Sequence, residues 1–163
     1  MSINNFLSNF NGGFRSSRFK VEIDGIDTQL EFLCRSATIP SSEIGVIDIP
    51  YQGLNIPIPG DRPGGRIWSV ELFADVNFTV RNQLELWQES IRPQEIIGGL
   101  PLVTSLRTAT VDLLGTDGET LRTYRMLGCW PSALGEIALS QETTDTIAQY
   151  TLDLTFYAFT NFI

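Results

Sequence analysis

Apolar and polar residues alternate one by one through most of the patterned stretches of this chain, and that period of two constrains the fold more than any other feature. Between Ile67 and Phe73, Trp68, Val70 and Leu72 fall on one side while Ser69 and Glu71 fall on the other. Successive strand side chains point to opposite faces, so such a run reads as a half-buried strand. The pattern recurs with Phe19, Val21 and Ile23 against Lys20 and Glu22, and with Leu30, Phe32 and Cys34 against Gln29 and Glu31. Near the end, Tyr150, Leu152, Leu154 and Phe156 alternate with Thr151, Asp153 and Thr155. One-sided alternation predicts a mainly β protein with an antiparallel sheet that turns one face to a core.

The stretch from Leu106 to Leu127 can be read in register. Asp117-Gly118 signals a two-residue hairpin turn with positive φ at both central residues, pairing Thr116 with Glu119. Counting outward, Val111 meets Tyr124 and Ala109 meets Met126 on an apolar face. On the other face Asp112 meets Thr123 and Thr110 meets Arg125, with Thr108 following. A slip of one residue would mix the two faces, so the pattern supports this pairing.

One segment departs from the period of two. From Asn77 to Ile91, the residues Val80, Leu84, Trp87 and Ile91 recur at helical offsets. That predicts a single amphipathic helix, capped by Asn77 or Thr79 and stopped by Pro93. The expected core comprises Trp68, Trp87, Val111, Tyr124, Leu152, Leu154 and Phe156.

Between about residues 41 and 66, Pro40, Pro50, Pro57, Pro59 and Pro63 bound or interrupt β-branched runs. Prolines at this density bar a central strand and predict a long proline-rich loop. Yet Val46, Ile47, Ile49, Tyr51, Leu54, Ile56 and Ile58 are a heavy apolar load for a solvated loop. The segment must bury against its own domain or against a neighbouring subunit, and the second reading is favoured.

Composition bounds the chemistry. The chain has 163 residues, enough for one domain spanning 1–163, and carries eleven basic against nineteen acidic residues for a net charge of −8. That is the wrong sign for gripping nucleic acid. It contains no histidine, the commonest general base and zinc ligand, and no clustered carboxylate pair replaces it. Gly60 to Arg66 lacks the GK[ST] ending of a phosphate loop and reads as a turn. Cys34 and Cys129 lack CxxC spacing and read as buried free thiols. No catalytic, metal or cofactor-binding residues are expected. No apolar run is long enough to span a membrane and the first residues lack the order of a signal peptide, so the expectation is a protein that starts life in a cytoplasm, without membrane insertion.

Two blocks of residues carry a family resemblance. The first runs Cys34-Arg35-Ser36-Ala37-Thr38-Ile39-Pro40, then the proline-rich segment, Gly60-Asp61-Arg62, Trp68-Ser69-Val70, and a helix ending in Leu86-Trp87-Gln88. The second is Gly128-Cys129-Trp130-Pro131-Ser132-Ala133-Leu134-Gly135-Glu136-Ile137, before a long final strand. In order and spacing, from about Phe19 to Phe159, they resemble the tail tube protein of contractile-tailed bacteriophages. The resemblance implies a β-sandwich or partly closed β-barrel with one flanking helix, assembled as hexameric rings stacked head to tail into a conduit for DNA. It implies tail sheath, baseplate and tail terminator as partners, with tape measure protein or DNA in the lumen. It also implies a place in the virion tail, assembly in the infected bacterial cytoplasm, no cofactor and no enzymatic activity.

Under that resemblance the polar hairpin face, Thr108, Thr110, Asp112, Thr123 and Arg125, would line the lumen, joined by Gln29 and Glu31. An acidic wall would repel DNA, so Arg125 is expected to be neutralised diagonally by Asp112. The apolar loop residues would join subunits or rings. The alternatives are the tube of a contractile injection or type VI secretion system, and a small-molecule-binding β-barrel, whose expected monomer fits the apolar loop poorly.

Overall fold

The structure is a computed structural model that describes residues 3–10, 13–63, 66–92 and 101–162. In chain order its elements are α1 (Ile3–Phe10), β1 (Phe19–Ile23), α2 (Leu30–Leu33), β2 (Cys34–Ala37), β3 (Val46–Tyr51), β4 (Leu54–Pro59) and β5 (Arg66–Phe73). There follow α3 (Thr79–Ile91), α4 (Leu102–Ser105), β6 (Arg107–Leu114), β7 (Thr120–Leu134), β8 (Gln149–Phe156) and β9 (Ala158–Phe162).

Seven strands form one antiparallel sheet in the order β1-β6-β7-β8-β5-β2, with β9 also on β7. The fifteen-residue β7 serves two half-sheets: its first part lies between β6 and β9, its second part beside β8. Inward residues of both halves, among them Val21, Val111 and Met126 from one and Trp68, Leu152 and Leu154 from the other, meet in one core with Val80, Leu84 and Trp87 of α3. The sheet is therefore folded over on itself and covered by a helix. It is not closed into a barrel.

The fold line falls where β7 and the β8–β9 strand change phase together. Met126 and Cys129 are both buried, as are Phe156 and, in part, Phe159, so inward positions shift parity at Gly128 and at Tyr157. Gly128 sits at φ +66, and a Cβ there would lie 2.0 Å from the Tyr157 ring. A strand turns such a corner with an extra or left-handed residue, and glycine takes that conformation without strain. Gly128→Ala should therefore cost about 1–3 kcal/mol in chemical unfolding. In a Tyr157→Ala background, where the ring is gone, about 1 kcal/mol should remain from backbone strain. Complete relief in that background would show that φ is not the cause.

Most period-two readings hold. β1, β5 and β8 show the expected alternation, and Trp68, Trp87, Val111, Leu152, Leu154 and Phe156 are buried, with Tyr124 partly so. The β6–β7 register is the one expected, Val111↔Tyr124, Ala109↔Met126, Asp112↔Thr123 and Thr110↔Arg125. Its turn differs. The Gly115 amide bonds to the Glu119 carbonyl at 2.8 Å, closing a three-residue loop in which Gly118, at φ +82, is left-handed and Asp117 is not. A register shift between Leu113 and Leu114 absorbs the extra residue, so the strand bodies keep their pairing.

Three further expectations change. Residues 30–33 are a helical turn, not a strand: Asp27 accepts the Gln29 amide on its side chain at 2.9 Å and the Leu30 amide on its carbonyl at 3.1 Å. In a helix, residues two apart point to nearly opposite sides, so Leu30 is buried while Phe32 is 81% exposed. The start of α3 is capped by Asp75, whose carboxylate accepts the Thr79 amide at 3.0 Å, and not by Asn77 or Thr79. Pro93 and the pair Gly64-Gly65 lie outside the described residues. The proline-rich segment is ordered as a two-stranded ribbon, β3 on β4, apart from the main sheet. Of the two cysteines, both free, Cys129 is buried and Cys34 half-buried; burial pushes each thiol up to about 11.

Candidate functional site

The half-sheet β1-β6-β7-β9 turns its apolar side to the core, so alternation sets a polar side opposite. Thr108, Thr110, Asp112, Thr123 and Arg125 lie together there and line a shallow groove of about 510 Å³, joined by Glu22, Asp24 and Leu127. Pairing of β1 with β6 puts Lys20 across from Asp112 and Glu22 across from Thr110. Thr123 donates its hydroxyl to Asp112 at 2.5 Å, so the residue directly opposite Asp112 is a bonding partner.

The Lys20 ammonium is 2.5 Å from Glu22 and 3.3 Å from Glu31. Hydrogen bonds to Glu22 and then Glu31 raise its pKa above the ordinary lysine value, so it stays charged at neutral pH. The face thus carries Glu22, Asp24 and Asp112 against Lys20 and Arg125, with Glu31 at its margin. Glu31 reaches it from a helical turn through Lys20. Gln29 is exposed at the start of that turn and is not among the groove residues. Lys20, Glu22 and Asp24 were missed because nothing in the local pattern tells which strand β1 will pair. Among the described residues, no three His, Cys, Asp or Glu side chains gather as a metal site.

Among the described residues this half-sheet ends in two strands that each have one neighbour: β1 pairs β6, and β9 pairs β7. Unpaired amides and carbonyls along such edges are templates for another strand.

The ribbon is the second unusual surface. All twelve residues of β3 and β4 are exposed. Its pairs are Ile47↔Ile58, Ile49↔Ile56 and Tyr51↔Leu54, interleaved with Val46↔Pro59, Asp48↔Pro57 and Pro50↔Asn55. Directly opposed residues share a face, so six apolar side chains cover one side and the prolines, Asp48 and Asn55 the other. Val46, grouped by sequence with the apolar set, belongs to the proline side. The tip, Gln52 at φ 50 and Gly53 at φ +81, has the two positive φ values of a two-residue hairpin turn.

The family model described as phage tail tube protein matches residues 3–161. A curated tail tube protein of Serratia phage KSP90 is 27% identical over 126 residues, covering 77% of this chain and 71% of that protein. Among solved structures, a chain of the extended sheath–tube complex of the extracellular contractile injection system PVC superposes with a TM-score of 0.70 at 16% identity, covering 99% of this chain and 98% of that one. A chain from the cap that terminates the anti-feeding prophage tube gives 0.70 at 16% identity, over 92% and 91%. With its folded-over sheet, free edges and a family match across nearly its whole length, the chain belongs to the phage tail tube protein family.

Proposed function

We propose that this tail tube protein assembles as hexameric rings, stacked head to tail, whose inner wall is the polar face of the half-sheet β1-β6-β7-β9. One observation carries the reading: that face is bounded by two free edges, β1 on one side and β9 on the other. Pairing β9 of one copy with β1 of the next continues the sheet around a ring and removes both edges. The wall then presents threonines and a slight excess of acid over base. Such a surface repels phosphates and lets DNA pass, which suits a conduit and makes catalysis or tight binding unnecessary.

The outer partners that fit are tail sheath, baseplate and tail terminator, because chains of similar fold come from a sheath–tube complex, a tube cap and a baseplate. Tape measure protein and then DNA would occupy the lumen, in a virion tail built in the host cytoplasm. The second reading, an injection-system tube with other cargo, rests on the same structural neighbours. The phage tube is favoured by the family match and by the phage relative.

Replacing Thr108, Thr110 and Thr123 with lysine adds three positive charges per copy and leaves Asp112 in place. Particles carrying these changes should assemble yet eject DNA several-fold more slowly, with the defect larger at low ionic strength than at high. Assembled particles that eject at the parent rate in low salt would remove this face from the lumen.

A further inference from the structure

We propose that helix α1 of one copy lies across the isoleucine face of the β3–β4 ribbon of a second copy. This deepens the tube reading and rests on it, since it requires neighbouring subunits. Helix α1 buries none of its residues. Ile3, Phe6, Leu7 and Phe10 are each more than half exposed and fall at helical offsets that put them on one side. Phe6 and Phe10 stack with ring centroids 5.2 Å apart. The other side is satisfied within the helix, for the Ser8 hydroxyl and the Asn9 side-chain amide both donate to the Asn5 carbonyl, at 3.2 and 2.8 Å. Eight residues are too few for a stable isolated helix in water, and a lone two-stranded hairpin is marginal as well. Both elements take their order from being covered.

The two surfaces match in charge and in size. Helix α1 contains no acidic or basic residue, and neither does the apolar side of the ribbon, whose acid, Asp48, is on the proline side. Depletion of charge at the centre is the mark of a buried contact. An eight-residue helix is about 12 Å long, and the run from Ile47 to Tyr51 extends about 13 Å. Within one chain both surfaces are exposed at once, so they are not covering each other in the same copy. The remaining exposed apolar residues, such as Phe32, Val76, Leu86 and Leu139, are dispersed along the chain. Four residues against six fall well short of the roughly 20–30 per side of a stable pair. The contact therefore forms in the repeating assembly and not as a free dimer.

The test uses full-length chains with Cys34→Ser, one carrying Leu7→Cys and the other Ile56→Cys, mixed, assembled and oxidised. A disulfide-linked dimer that needs both variants is expected, and Leu86→Cys in place of Leu7→Cys should give none. Phe6→Ser with Phe10→Ser, without any added cysteine, should raise the critical concentration for assembly at least tenfold. Normal tubes without the cross-link, or an unchanged critical concentration, would overturn the proposal. So would a bond formed only inside a chain that carries both cysteines, or a cross-link to an added sheath protein at Ile56 instead of to a second copy. Failure of the parent chain to form any tube under the microscope would remove the tube reading itself, a result distinct from tubes that lack the link.

Discussion

Trp87→Ala is expected to cost about 3–5 kcal/mol of folding stability, because three losses coincide at one site. The indole is 2% exposed and packs with Val80 and Leu84 of the same helix in the common core. Its Nε1 donates to the Ser105 carbonyl at 2.8 Å, so truncation leaves that buried acceptor without its donor. The Arg107 guanidinium lies 4.4 Å from the ring centroid and also donates to the Asp24 carbonyl at 3.3 Å. Desolvation lowers its pKa from the ordinary arginine value, a sign that the group sits in partly dry surroundings, which the lost ring would open. A domain of this size has roughly 5–15 kcal/mol in total, so the variant should unfold near ambient temperature or fail to accumulate. Trp87→Phe keeps most of the volume and loses the donor, for a cost of about 1–3 kcal/mol. Leu86→Ala is the control: it is 70% exposed on the far side of the helix and should stay within about 0.5 kcal/mol. Urea unfolding of the three variants measures these values. A change below about 1 kcal/mol for Trp87→Ala would mean that the helix is not held to the sheet by this side chain.

The sheet was legible in the sequence wherever a strand was long enough to show several alternations with one dry side. β5 and β8 are such strands, and the β6–β7 register could be counted because two independent faces had to agree. The Leu30 to Cys34 run had only three apolar positions. A contact from far along the chain helps settle it as a helical turn: the Gln83 side-chain carbonyl accepts the Asp27 amide at 2.7 Å, across 56 positions of sequence. No local pattern carries that information. The hairpin turn failed for a different reason, since a glycine in the left-handed region fits both a two-residue turn and a three-residue loop with a compensating bulge.

The polar face was partly legible. Its threonines, Asp112 and Arg125 follow from alternation within one hairpin, whereas Lys20, Glu22 and Asp24 join through the pairing of β1 with β6, a contact between segments some ninety positions apart. The ribbon was read as a loop because proline cannot donate to a ladder. In the structure Pro50, Pro57 and Pro59 all share one face, the same side as Val46, Asp48 and Asn55. Opposed pairs on one face belong to one hydrogen-bonding class, and the pair beside a two-residue turn, Tyr51↔Leu54, is of the bonded class. The proline positions therefore fall where the amide points away from the partner strand, and the ladder loses nothing.

Excising residues 46–58 should leave a folded subunit that no longer polymerises. The ribbon contributes no residue to the core, and its base is already closed, with the Gly60 amide donating to the Gly45 carbonyl at 2.6 Å. Removing the intervening residues leaves a tight turn, and the urea midpoint should move little. Assembly is another matter, because the six apolar side chains on one face of the ribbon are exposed and no described residue of the same chain covers them. If the face is buried between copies, Ile49→Ala should weaken each contact by about 1–3 kcal/mol, a rise of roughly five- to 150-fold in the critical concentration read by sedimentation. Ile49→Asp or Ile56→Asp should abolish assembly, since a carboxylate would be left in a dry contact without a partner. Val46→Asp separates this account from a general sensitivity of the ribbon. It lies on the proline face, which already carries Asp48, and tubes of near-normal length should still form. Normal tubes from Ile49→Asp, or equal loss from Val46→Asp and Ile49→Asp, would show that the isoleucine face is not the surface that joins the copies.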